Sequence, residues 1–526
     1  MRISPGWIFL LLLAPVLGCQ CNTSPAVLTY GRSADADTLD PINTDHGESV
    51  KVMVNLYDTL LTYADDSMEL VPSLATDLGQ MSDDGLTWTF SLRKGVLFHD
   101  GEPFNSDAVK FSFDRLIQEQ HPGVYNEARP YRTAYSEIIE SVEAPAPDQV
   151  VFHLKKPSAI FQRNLAMFAA SIVSPKSVLA KNEDFAIQPV GTGPFQLERW
   201  ERGRRIVLQA FDKHWRGAPA AERVVFLPVT EPATRVQQIE RGIIHIADNL
   251  PPTTLDNLVE NPQIAAQSQP GTNVGYLSMQ IEKPGLSNLK VRQAIALAID
   301  KAELVRTAYG GYSETAATML PRSMAYWHND QIEDRKLDIE GAKKLMQEAA
   351  DADGFALPLK LTLATMGGAR PYMQQPLEVA SFIKDALAPI GIEVEIVTRA
   401  VSEHFDYLMA GKHELALAGW SSDNNDPDNF LYMLFDQDNI GPSGNNLSRY
   451  RNQELHDLLI AAQSELDRDK RREMYLQAQQ MIFDDVPALP LVNTAVRIAL
   501  RDSVRDYQLH PSAQVWLRKA HLEVGK

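Results

Sequence analysis

Residues 359–397 read LKLTLATMGGARPYMQQPLEVASFIKDALAPIGIEVEIV, and this stretch decides the fold. Apolar and polar residues alternate over 359–363, which predicts a strand. A helix is predicted over 376–387 and a second strand over 392–397. This order of elements is a βαβ unit, whose crossover is expected to be right-handed. The sequence therefore predicts an open α/β sheet in this half of the chain.

Two loops that follow predicted strands carry the residues best suited to bind a ligand. Arg370 and Tyr372 lie in the loop after the first strand, and Trp420 and Asp423 follow the apolar run 415–418, which is predicted to be a buried strand. Open α/β sheets bind ligands at the carboxyl ends of their strands. One loop offers a guanidinium and the other a carboxylate. Together they can grip a small zwitterion by both ends, and a short peptide is such a zwitterion.

The aspartates of the second loop admit other interpretations. Asp423, Asp426 and Asp428 could form a solvated acidic loop or supply oxygen ligands to calcium, although the full calcium-loop pattern with its glycine and terminal glutamate is missing. Residues 426–429 are typical of a turn and a helix cap, with Asp428 at the start of a helix. Asp423 has no such duty, so solvent and ligand both remain open for it. Arg370 taken alone would be an ordinary surface arginine.

The first 21 residues are predicted to be a lipoprotein signal peptide that ends in a lipobox. Residues 7–16 are almost continuously apolar, but this run is too short for a membrane span of about 20 residues. Residues 16–19, VLGC, resemble a lipobox, in which Cys19 would become the first mature residue and carry the lipid. The alternative is an ordinary cleaved signal with incidental cysteines, and Cys21 could be only part of a spacer. We expect a membrane-anchored protein of the periplasm or cell envelope.

Composition narrows the class of protein further. The chain of 526 residues has only two cysteines, both beside the predicted cleavage site, so we expect neither an internal disulfide nor a thiolate metal site. A formal net charge of −18 argues against nucleic acid and against an anionic membrane surface as partners. The length suffices for two or three lobes. We expect a monomer that floats on a lipid tether.

No constellation of residues points to catalysis. The sequence contains no Gly-x-Ser-x-Gly elbow, no His-Glu-x-x-His pair and no Gly-Lys-Ser/Thr phosphate loop. Its twelve histidines are scattered, and none pairs with another at metal-ligand spacing. The sequence therefore predicts that the protein is not an enzyme and that it carries no cofactor and no metal.

Local patterns predict further elements along the chain. Apolar and polar residues alternate over 86–92, which predicts a strand, and Ser106 is suited to cap a helix over 107–116. The turn at Gly203 predicts an antiparallel hairpin. One long helix is predicted over 452–482.

Four segments resemble the extracellular solute-binding proteins of ABC importers, family five, which is the peptide and nickel class. They occur in the family's order and read LTWTFSLRKGVLFHDGEPFNSDAVKFSFD (86–114), PVGTGPFQLERW (189–200), VRQAIALAIDK (291–301) and GWSSDNNDPDNF (419–430). The resemblance covers nearly the whole mature chain. Within the family, the loops that contain Arg370 and Trp420 are most similar to those of the dipeptide-binding proteins.

The resemblance implies a two-lobe, hinge-bending α/β binding protein of the periplasmic type, in its large class II form. The first lobe would comprise residues 27–275 and 494–526, with an extra subdomain at about 60–174. The second lobe would comprise residues 276–493. Ligand would bind between the lobes, and closure would create the surface that a membrane permease and its ATPase recognise.

The resemblance also implies roles for individual residues. Arg370 would take the carboxylate of a dipeptide, and Asp423 would take its ammonium. Trp420 and Tyr372 would flank the pockets for its side chains. A bidentate guanidinium fixes orientation as well as charge.

The first-lobe wall of this pocket is expected to be the backbone of Asp45, His46 and Gly47, whose sequence departs from that of the dipeptide binders. Within the same fold, the ligand could instead be a longer or antimicrobial peptide, haem or a chelated metal. A longer peptide would not need Arg370 and Asp423 at a fixed separation. A secreted hydrolase is the alternative from another class, and the absence of a catalytic constellation argues against it.

Overall fold

The computed structural model describes residues 27–442 and 444–523, apart from the side chains of residues 252 and 253. The predicted signal peptide and Cys19 lie outside the described residues. Within the described ranges, no helix has the combination of length and apolar character that a membrane crossing requires.

A seven-stranded sheet forms the base of one body, which we call the first lobe. Its strands lie in the spatial order Ile264–Pro270, Ala495–Arg501, Ile246–Ala247, Val27–Arg32, Arg223–Pro228, Arg205–Ala210 and Phe195–Glu201. Val27–Arg32 is parallel to both of its neighbours, and the other pairs are antiparallel. The predicted hairpin around Gly203 is confirmed, because the strands on either side of it pair in antiparallel fashion.

A six-stranded sheet forms the base of the other body, the second lobe. Its strands lie in the spatial order Glu314–Thr315, Ala488–Asn493, Asn273–Met279, Leu415–Ser421, Leu359–Met366 and Ile392–Arg399. The predicted βαβ unit is confirmed, because the last two strands are parallel and the helix Pro376–Leu387 connects them. Leu415–Ser421 lies parallel to Leu359–Met366 on its other side.

The predicted burial of the strand over 415–418 is confirmed. Leu417 faces the core that contains the helix Pro376–Leu387, whereas Ala416 faces the core that contains the helix Asp428–Phe435. Successive side chains of a strand point to opposite faces, so an apolar run without alternation fits a strand covered on both sides. This strand therefore gives its following loop a rigid base.

The chain passes between the two sheets at two adjacent crossings. One crossing leads from Pro270 to Asn273 and the other from Asn493 to Ala495. The crossings are bonded to each other, because Asn273 Nδ2 donates to the Thr494 carbonyl (3.2 Å) and the Thr494 N–H donates to Asn273 Oδ1 (2.9 Å). The two segments on which any movement between the lobes depends are thus held side by side.

An extension of the first lobe contains a separate four-stranded sheet. Its strands lie in the spatial order Gln80–Met81, Thr87–Ser91, Gln149–Leu154 and Ile139–Ala146. Apolar side chains of this sheet and of the seven-stranded sheet belong to one continuous core. Two smaller sheets pair Leu61–Tyr63 with Leu70–Pro72 and Val504–Arg505 with His521–Leu522.

Helices cover both lobes. They are Gly47–Met53, Ser106–Ile117, Arg132–Ser136, Phe161–Asn164, Pro175–Lys181, Pro232–Glu240, Pro252–Leu258, Leu289–Ala298, Lys301–Ala308, Ile339–Asp353, Pro376–Leu387, Val401–Met409, Asp428–Phe435, Gln453–Ser464 and Arg468–Asp485.

Two local predictions were wrong. The helix predicted over 452–482 is two helices, because Asp467 accepts hydrogen bonds from the backbone N–H groups of Asp469 and Lys470 and so begins a new helix. The helix cap predicted at Ser106 is Asn105, which accepts from the Ala108 N–H.

Candidate functional site

The two loops that the sequence predicts to bind ligand lie at one edge of the six-stranded sheet. Arg370 follows the strand Leu359–Met366, and Asp423 follows the strand Leu415–Ser421. These strands are parallel neighbours, so their carboxyl ends meet at the same edge. The loops that carry the guanidinium and the carboxylate therefore leave the sheet at the same edge.

The Arg370 loop is a tight turn that is tied to a crossing between the lobes. Arg370 and Met373 exchange two backbone hydrogen bonds, each of 3.0 Å. Thr494 Oγ1, in the second crossing, donates to the Pro371 carbonyl at 2.9 Å. The loop that carries the guanidinium is therefore bonded directly to the second crossing.

The guanidinium of Arg370 is not fully satisfied by the protein. The side chain is half-buried, and its Nε is shielded from solvent with no hydrogen-bond partner in the described part of the chain. A buried N–H without an acceptor costs free energy. Burial raises the pKa of Tyr372, and the nearby Arg370 charge opposes this shift. The loop thus presents a guanidinium whose Nε lacks an acceptor, beside a neutral phenol.

Two glycines make room for Tyr372, one for its ring and the other for its backbone. Gly275 and Gly419 are paired across neighbouring strands. A Cβ on Gly419 would lie 2.1 Å from Tyr372 Cδ2, and a Cβ on Gly275 would lie 2.5 Å from the Tyr372 carbonyl oxygen. Contacts this short leave no room for a side chain at either position, so Tyr372 packs directly against the backbone of the sheet.

The Asp423 carboxylate is held by partners from both lobes. Its Oδ1 accepts from the Tyr131 hydroxyl of the first lobe at 3.2 Å, and its Oδ2 accepts from Asn429 Nδ2 at 3.4 Å. Asn429 Oδ1 in turn accepts from the Asp423 N–H (3.1 Å) and from Trp420 Nε1 (3.0 Å). One amide group therefore fixes the indole and the carboxylate together.

The Asp423 carboxylate has hydrogen bonds but no counter-ion. Burial raises the pKa of Asp423 to about 6, although the hydrogen bonds from Asn429 and Tyr131 act in the opposite direction. The charge of Asp45 raises it further. No lysine, arginine or histidine of the described residues forms an ion pair with Asp423. This end of the site is therefore suited to a cation supplied from outside.

Asp45, His46 and Gly47 lie in the first lobe, where the chain enters the helix Gly47–Met53. Asp45 is exposed, and its charge acts on Asp423 across the gap between the lobes. His46 is half-buried at the N-cap position, although its side chain makes no cap hydrogen bond. A Cβ on Gly47 would meet no heavy atom within 4 Å. The charge of Asp45 thus reaches Asp423 from the first lobe, and the space beside Gly47 is open.

Further contacts close the lobes around the second loop. The Tyr63 hydroxyl donates to the Asn424 carbonyl at 3.0 Å, and Asn424 Nδ2 donates to Asn164 Oδ1 at 2.9 Å. These contacts, with the Tyr131–Asp423 bond, join the first lobe to a single loop of the second. The structure is therefore closed at this point.

The remaining aspartates of the loop have structural partners. Asp426 is buried and forms two hydrogen bonds of 2.7 Å with the Arg471 guanidinium. Asp426 also accepts from the Asp428 N–H, and Asp428 accepts from Gln463 Nε2 at 3.0 Å. Burial raises the pKa of Asp428 to about 7. The turn-and-cap interpretation thus fits Asp426 and Asp428, whereas Asp423 faces the gap.

One group of side chains outside the site has the spacing of metal ligands. Asp436, Asp438 and His456 each offer a ligand atom, and these atoms lie within 4.8 Å of one another. His456 Nδ1 lies 2.9 Å from Asp436 Oδ2, and Asp436 also accepts from the Asp438 N–H. Hydrogen bonds within the group are sufficient to explain its geometry.

Sequence reasoning missed the residues that hold the site together. Asn429 was within the quoted motif, but nothing in the motif indicated that it bonds Trp420 and Asp423 at once. Tyr131 lies in a segment that carried no signal, and it reaches Asp423 from 292 residues away. Only the folded arrangement reveals that contact.

Comparison with known proteins places this geometry in a family. Residues 69–442 match the bacterial extracellular solute-binding proteins, family 5 Middle. The chain is 33% identical over 517 residues to a dipeptide-binding protein of Escherichia coli (strain K12). The aligned region covers 95% of this chain and 91% of that protein.

Two solved structures share the fold over almost their whole length. One is an ABC transporter-associated periplasmic binding protein, DppA, from Helicobacter pylori in complex with the peptide STSA. Its sequence is 30% identical to this chain, the TM-score is 0.84, and the match covers 95% of this chain and 98% of that one. The other is a dipeptide binding protein from Pseudoalteromonas in complex with Met-Leu, with 27% identity, a TM-score of 0.84, and coverage of 94% and 100%. The two-lobe α/β fold and the family predicted from the sequence are confirmed. This chain belongs to the bacterial extracellular solute-binding proteins of family 5.

Proposed function

We propose that the protein captures short peptides, dipeptides above all, between its lobes and delivers them to the permease and ATPase of an ABC importer. One observation carries the proposal. A guanidinium with a buried, unbonded N–H and a carboxylate without a counter-ion stand at the ends of neighbouring strands, in Arg370 and Asp423. The peptide ligands of the two related structures support it.

The charges match the termini of a free peptide. In a closed cleft each terminus loses its water, and an unpaired buried charge is costly, so each needs an opposite charge and hydrogen bonds. Arg370 would take the carboxylate through a bidentate fork, which fixes the orientation of the peptide. Asp423 would take the ammonium. Trp420 and Tyr372 would flank the side-chain pockets, where water can fill the remaining space and keep side-chain selection loose.

A fixed spacing of the two charges would measure peptide length. One additional residue lengthens an extended peptide by about 3.3–3.6 Å, which would pull one terminus off its partner. This favours dipeptides. One related protein was solved with STSA and another with Met-Leu, and calorimetry with Ala-Ala, Ala-Ala-Ala and Ala-Ala-Ala-Ala measures length selection in this protein directly.

We also propose that ligand capture is a hinge-bending closure of two lobes, residues 27–275 with 494–526 and residues 276–493, with an extra subdomain at about 60–174. The paired crossings support a hinge at this point, since Asn273 and Thr494 bond to each other. Ligand bound to Arg370 would act on the hinge through the bond between Thr494 and the Pro371 carbonyl. Closure would sequester the ligand and form the surface that the permease recognises.

In the cell, we propose a monomeric lipoprotein held at the membrane surface of the periplasm by a lipid on Cys19, with no enzymatic activity of its own. Cys19→Ser is expected to move the protein from the membrane to the soluble fraction, and mass spectrometry of the mature protein would detect the missing lipid. Cys21→Ser is the matched control. Release by Cys21→Ser alone would assign the anchor to the other cysteine.

The ligand class is tested most directly by native mass spectrometry of the purified protein, followed by calorimetry with Ala-Ala after bound ligand has been removed. We expect co-purified dipeptides and saturable binding of Ala-Ala. Co-purified haem, a chelated metal, or peptides of five or more residues with no binding of Ala-Ala would replace the dipeptide proposal and leave the family unchanged.

A further inference from the structure

Apart from the bonds at the two crossings, the hydrogen bonds between the lobes come from one part of the first lobe. Within the described residues, their first-lobe partners all lie in the segment 63–164, which includes the four-stranded sheet of the extension. The seven-stranded base of the same lobe supplies none of them. The extension therefore holds the second lobe in the closed arrangement.

One set of these bonds meets the second lobe at Asn424. The Tyr63 hydroxyl donates to the Asn424 carbonyl at 3.0 Å, and Asn424 Nδ2 donates to Asn164 Oδ1 at 2.9 Å. All three side chains are buried. Removal of one partner would leave the other buried and unsatisfied as long as the lobes stay closed, whereas water would reach it once they open. These bonds therefore favour the closed arrangement.

A second set meets the second lobe at Gln463. Lys156 Nζ donates to Gln463 Oε1 at 3.2 Å, and the Ala159 N–H donates to the Gln463 carbonyl at 3.0 Å. Apolar groups pack beside them, because a Cβ on Gly85 of the extension would lie 3.0 Å from Leu466 Cδ1 of the second lobe. The contact between the lobes thus extends well beyond the loop that carries Asp423.

The two sets of contacts are bonded to each other within the second lobe. Gln463 Nε2 donates to Asp428 Oδ1 at 3.0 Å, and the Asp428 N–H donates to Asp426 Oδ1 at 3.0 Å. The Asp426 N–H in turn donates to Asn424 Oδ1 at 3.1 Å. The two places where the extension binds the second lobe therefore belong to one hydrogen-bonded unit.

We propose that these contacts form a latch that holds the lobes together with or without ligand and that limits how fast a ligand leaves. The latch consists of Asn424 and Gln463 with their partners in the extension, which are Tyr63, Asn164, Lys156 and Ala159. Each bond joins protein to protein, so none of them needs a ligand. Opening must break the latch even after the contacts of the ligand itself are broken.

Two variants, one at each set of contacts, weaken the latch with little change in shape. Tyr63→Phe removes the hydroxyl that donates to Asn424, and its matched control is Tyr57→Phe, because the buried Tyr57 hydroxyl donates to the Leu39 carbonyl (2.8 Å) within the first lobe. Lys156→Met removes the ammonium and keeps the apolar stem.

Lys155→Met is the matched control for Lys156→Met. It changes the net charge by the same amount at the neighbouring position, where the side chain is exposed. In the described part of the chain, the Lys155 side chain forms no hydrogen bond and no ion pair.

The first measurement is hydrogen exchange of the Ala159 amide in purified protein from which bound ligand has been removed, read by mass spectrometry of fragments that span residues 155–164. This N–H has its acceptor in the other lobe, so its exchange reports opening. In the wild type it should exchange at least about tenfold more slowly than an unprotected amide. Tyr63→Phe should speed its exchange about fivefold, as expected for one hydrogen bond, and Lys156→Met about threefold, since this lysine is only half-buried.

The second measurement is the dissociation rate of Ala-Ala, followed by tryptophan fluorescence after rapid mixing, and it rests on the proposed peptide-binding function. Both latch variants should release Ala-Ala faster by about the same factors as they speed exchange, and both controls should match the wild type. Neither variant changes a residue proposed to contact the peptide.

An unprotected Ala159 amide in the ligand-free wild type would overturn the latch. Equal acceleration by a variant and its control, or faster exchange without faster release of Ala-Ala, would also overturn it. Tyr63→Phe lies at the other set of contacts from Ala159, so its effect separates opening of the lobes from local loosening, and Lys156→Met decides alone if Tyr63→Phe does not fold. Failure of Ala-Ala to bind at all would overturn the proposed function, while the exchange measurement would still decide on the latch.

Discussion

The two ends of the cleft are built in opposite ways. At one end Asp423 accepts hydrogen bonds on both oxygens, from Tyr131 and Asn429. At the other end the Arg370 Nε is buried and no described residue accepts from it. The first end is pre-formed by the protein, whereas the second is completed by what it binds.

Because of this difference, we expect the two ends to contribute differently to ligand binding. A pre-formed carboxylate that bridges the lobes favours the closed form, and its burial makes it sensitive to pH. An unsatisfied guanidinium gains both a charge and an acceptor when a carboxylate arrives, so more of the binding free energy should depend on it. The following experiments test that contrast.

The largest effect is expected from removing the guanidinium. Arg370→Gln should weaken Ala-Ala binding by roughly 10³-fold and Asp423→Asn by roughly 10²-fold, since a buried charge left unpaired costs roughly 2–5 kcal/mol and a factor of ten is about 1.4 kcal/mol. The loss at Asp423 should be smaller because Tyr131 and Asn429 already donate hydrogen bonds to that carboxylate. Calorimetry measures both. Equal losses, or a larger one for Asp423→Asn, would contradict the contrast between the two ends.

Blocking the peptide instead of the protein gives the next effect. N-acetylated Ala-Ala and C-amidated Ala-Ala should each bind roughly 10²-fold more weakly than free Ala-Ala, because each leaves one buried protein charge without its partner. A thermal-shift series with the three ligands at equal concentration compares them directly. Equal stabilisation by free and blocked dipeptides would contradict the proposal that Arg370 and Asp423 pair with the two peptide termini.

A smaller effect is expected from pH. In the proposed binding mode the ionised Asp423 carboxylate pairs with the peptide ammonium. Burial raises the pKa of Asp423 to about 6, so affinity should be full above pH 7 and should fall as pH drops through 6. Between pH 7.5 and 5 the dissociation constant for Ala-Ala should rise by about tenfold. Asp423→Asn should abolish this dependence, whereas Arg370→Gln should keep it. A flat profile for the wild-type protein would show that Asp423 does not carry the ammonium.

The sequence predicted the strands that carry the site better than the side chains that hold the site residues in place. The strands before Arg370 and Asp423 were predictable because alternation and apolar runs are local patterns. Tyr131 was not, because its contact joins distant parts of the chain that only the folded lobes bring together. The break in the long helix depended on one side chain, Asp467, whose capping bonds override the helical pattern around it.

The packing of Tyr372 over two glycines also could not be predicted from the sequence. Gly275 and Gly419 pair across neighbouring strands, and Tyr372 packs over both, with its ring against Gly419 and its carbonyl oxygen against Gly275. Strand pairing decides which residues share a face, and no single segment contains that information.

The smallest effect, and the one that separates positioning from packing, is expected at Asn429. Its Nδ2 donates to Asp423 and lowers the pKa of that carboxyl, while its Oδ1 accepts from Trp420 Nε1. Asn429→Leu should weaken Ala-Ala binding about fivefold at pH 7.5 and move the pH midpoint of binding upward, because the ionised carboxylate loses a donor.

Asn429→Asp should move the midpoint further than Asn429→Leu, since a second carboxylate would face Asp423 at the place of the amide. The expected order of midpoints is wild type, then Asn429→Leu, then Asn429→Asp, read from calorimetric titrations between pH 5 and 8. Weaker binding with an unchanged midpoint in both variants would mean that Asn429 only packs the loop. The ordered shift would instead show that the Asn429 amide helps to set the pKa of Asp423.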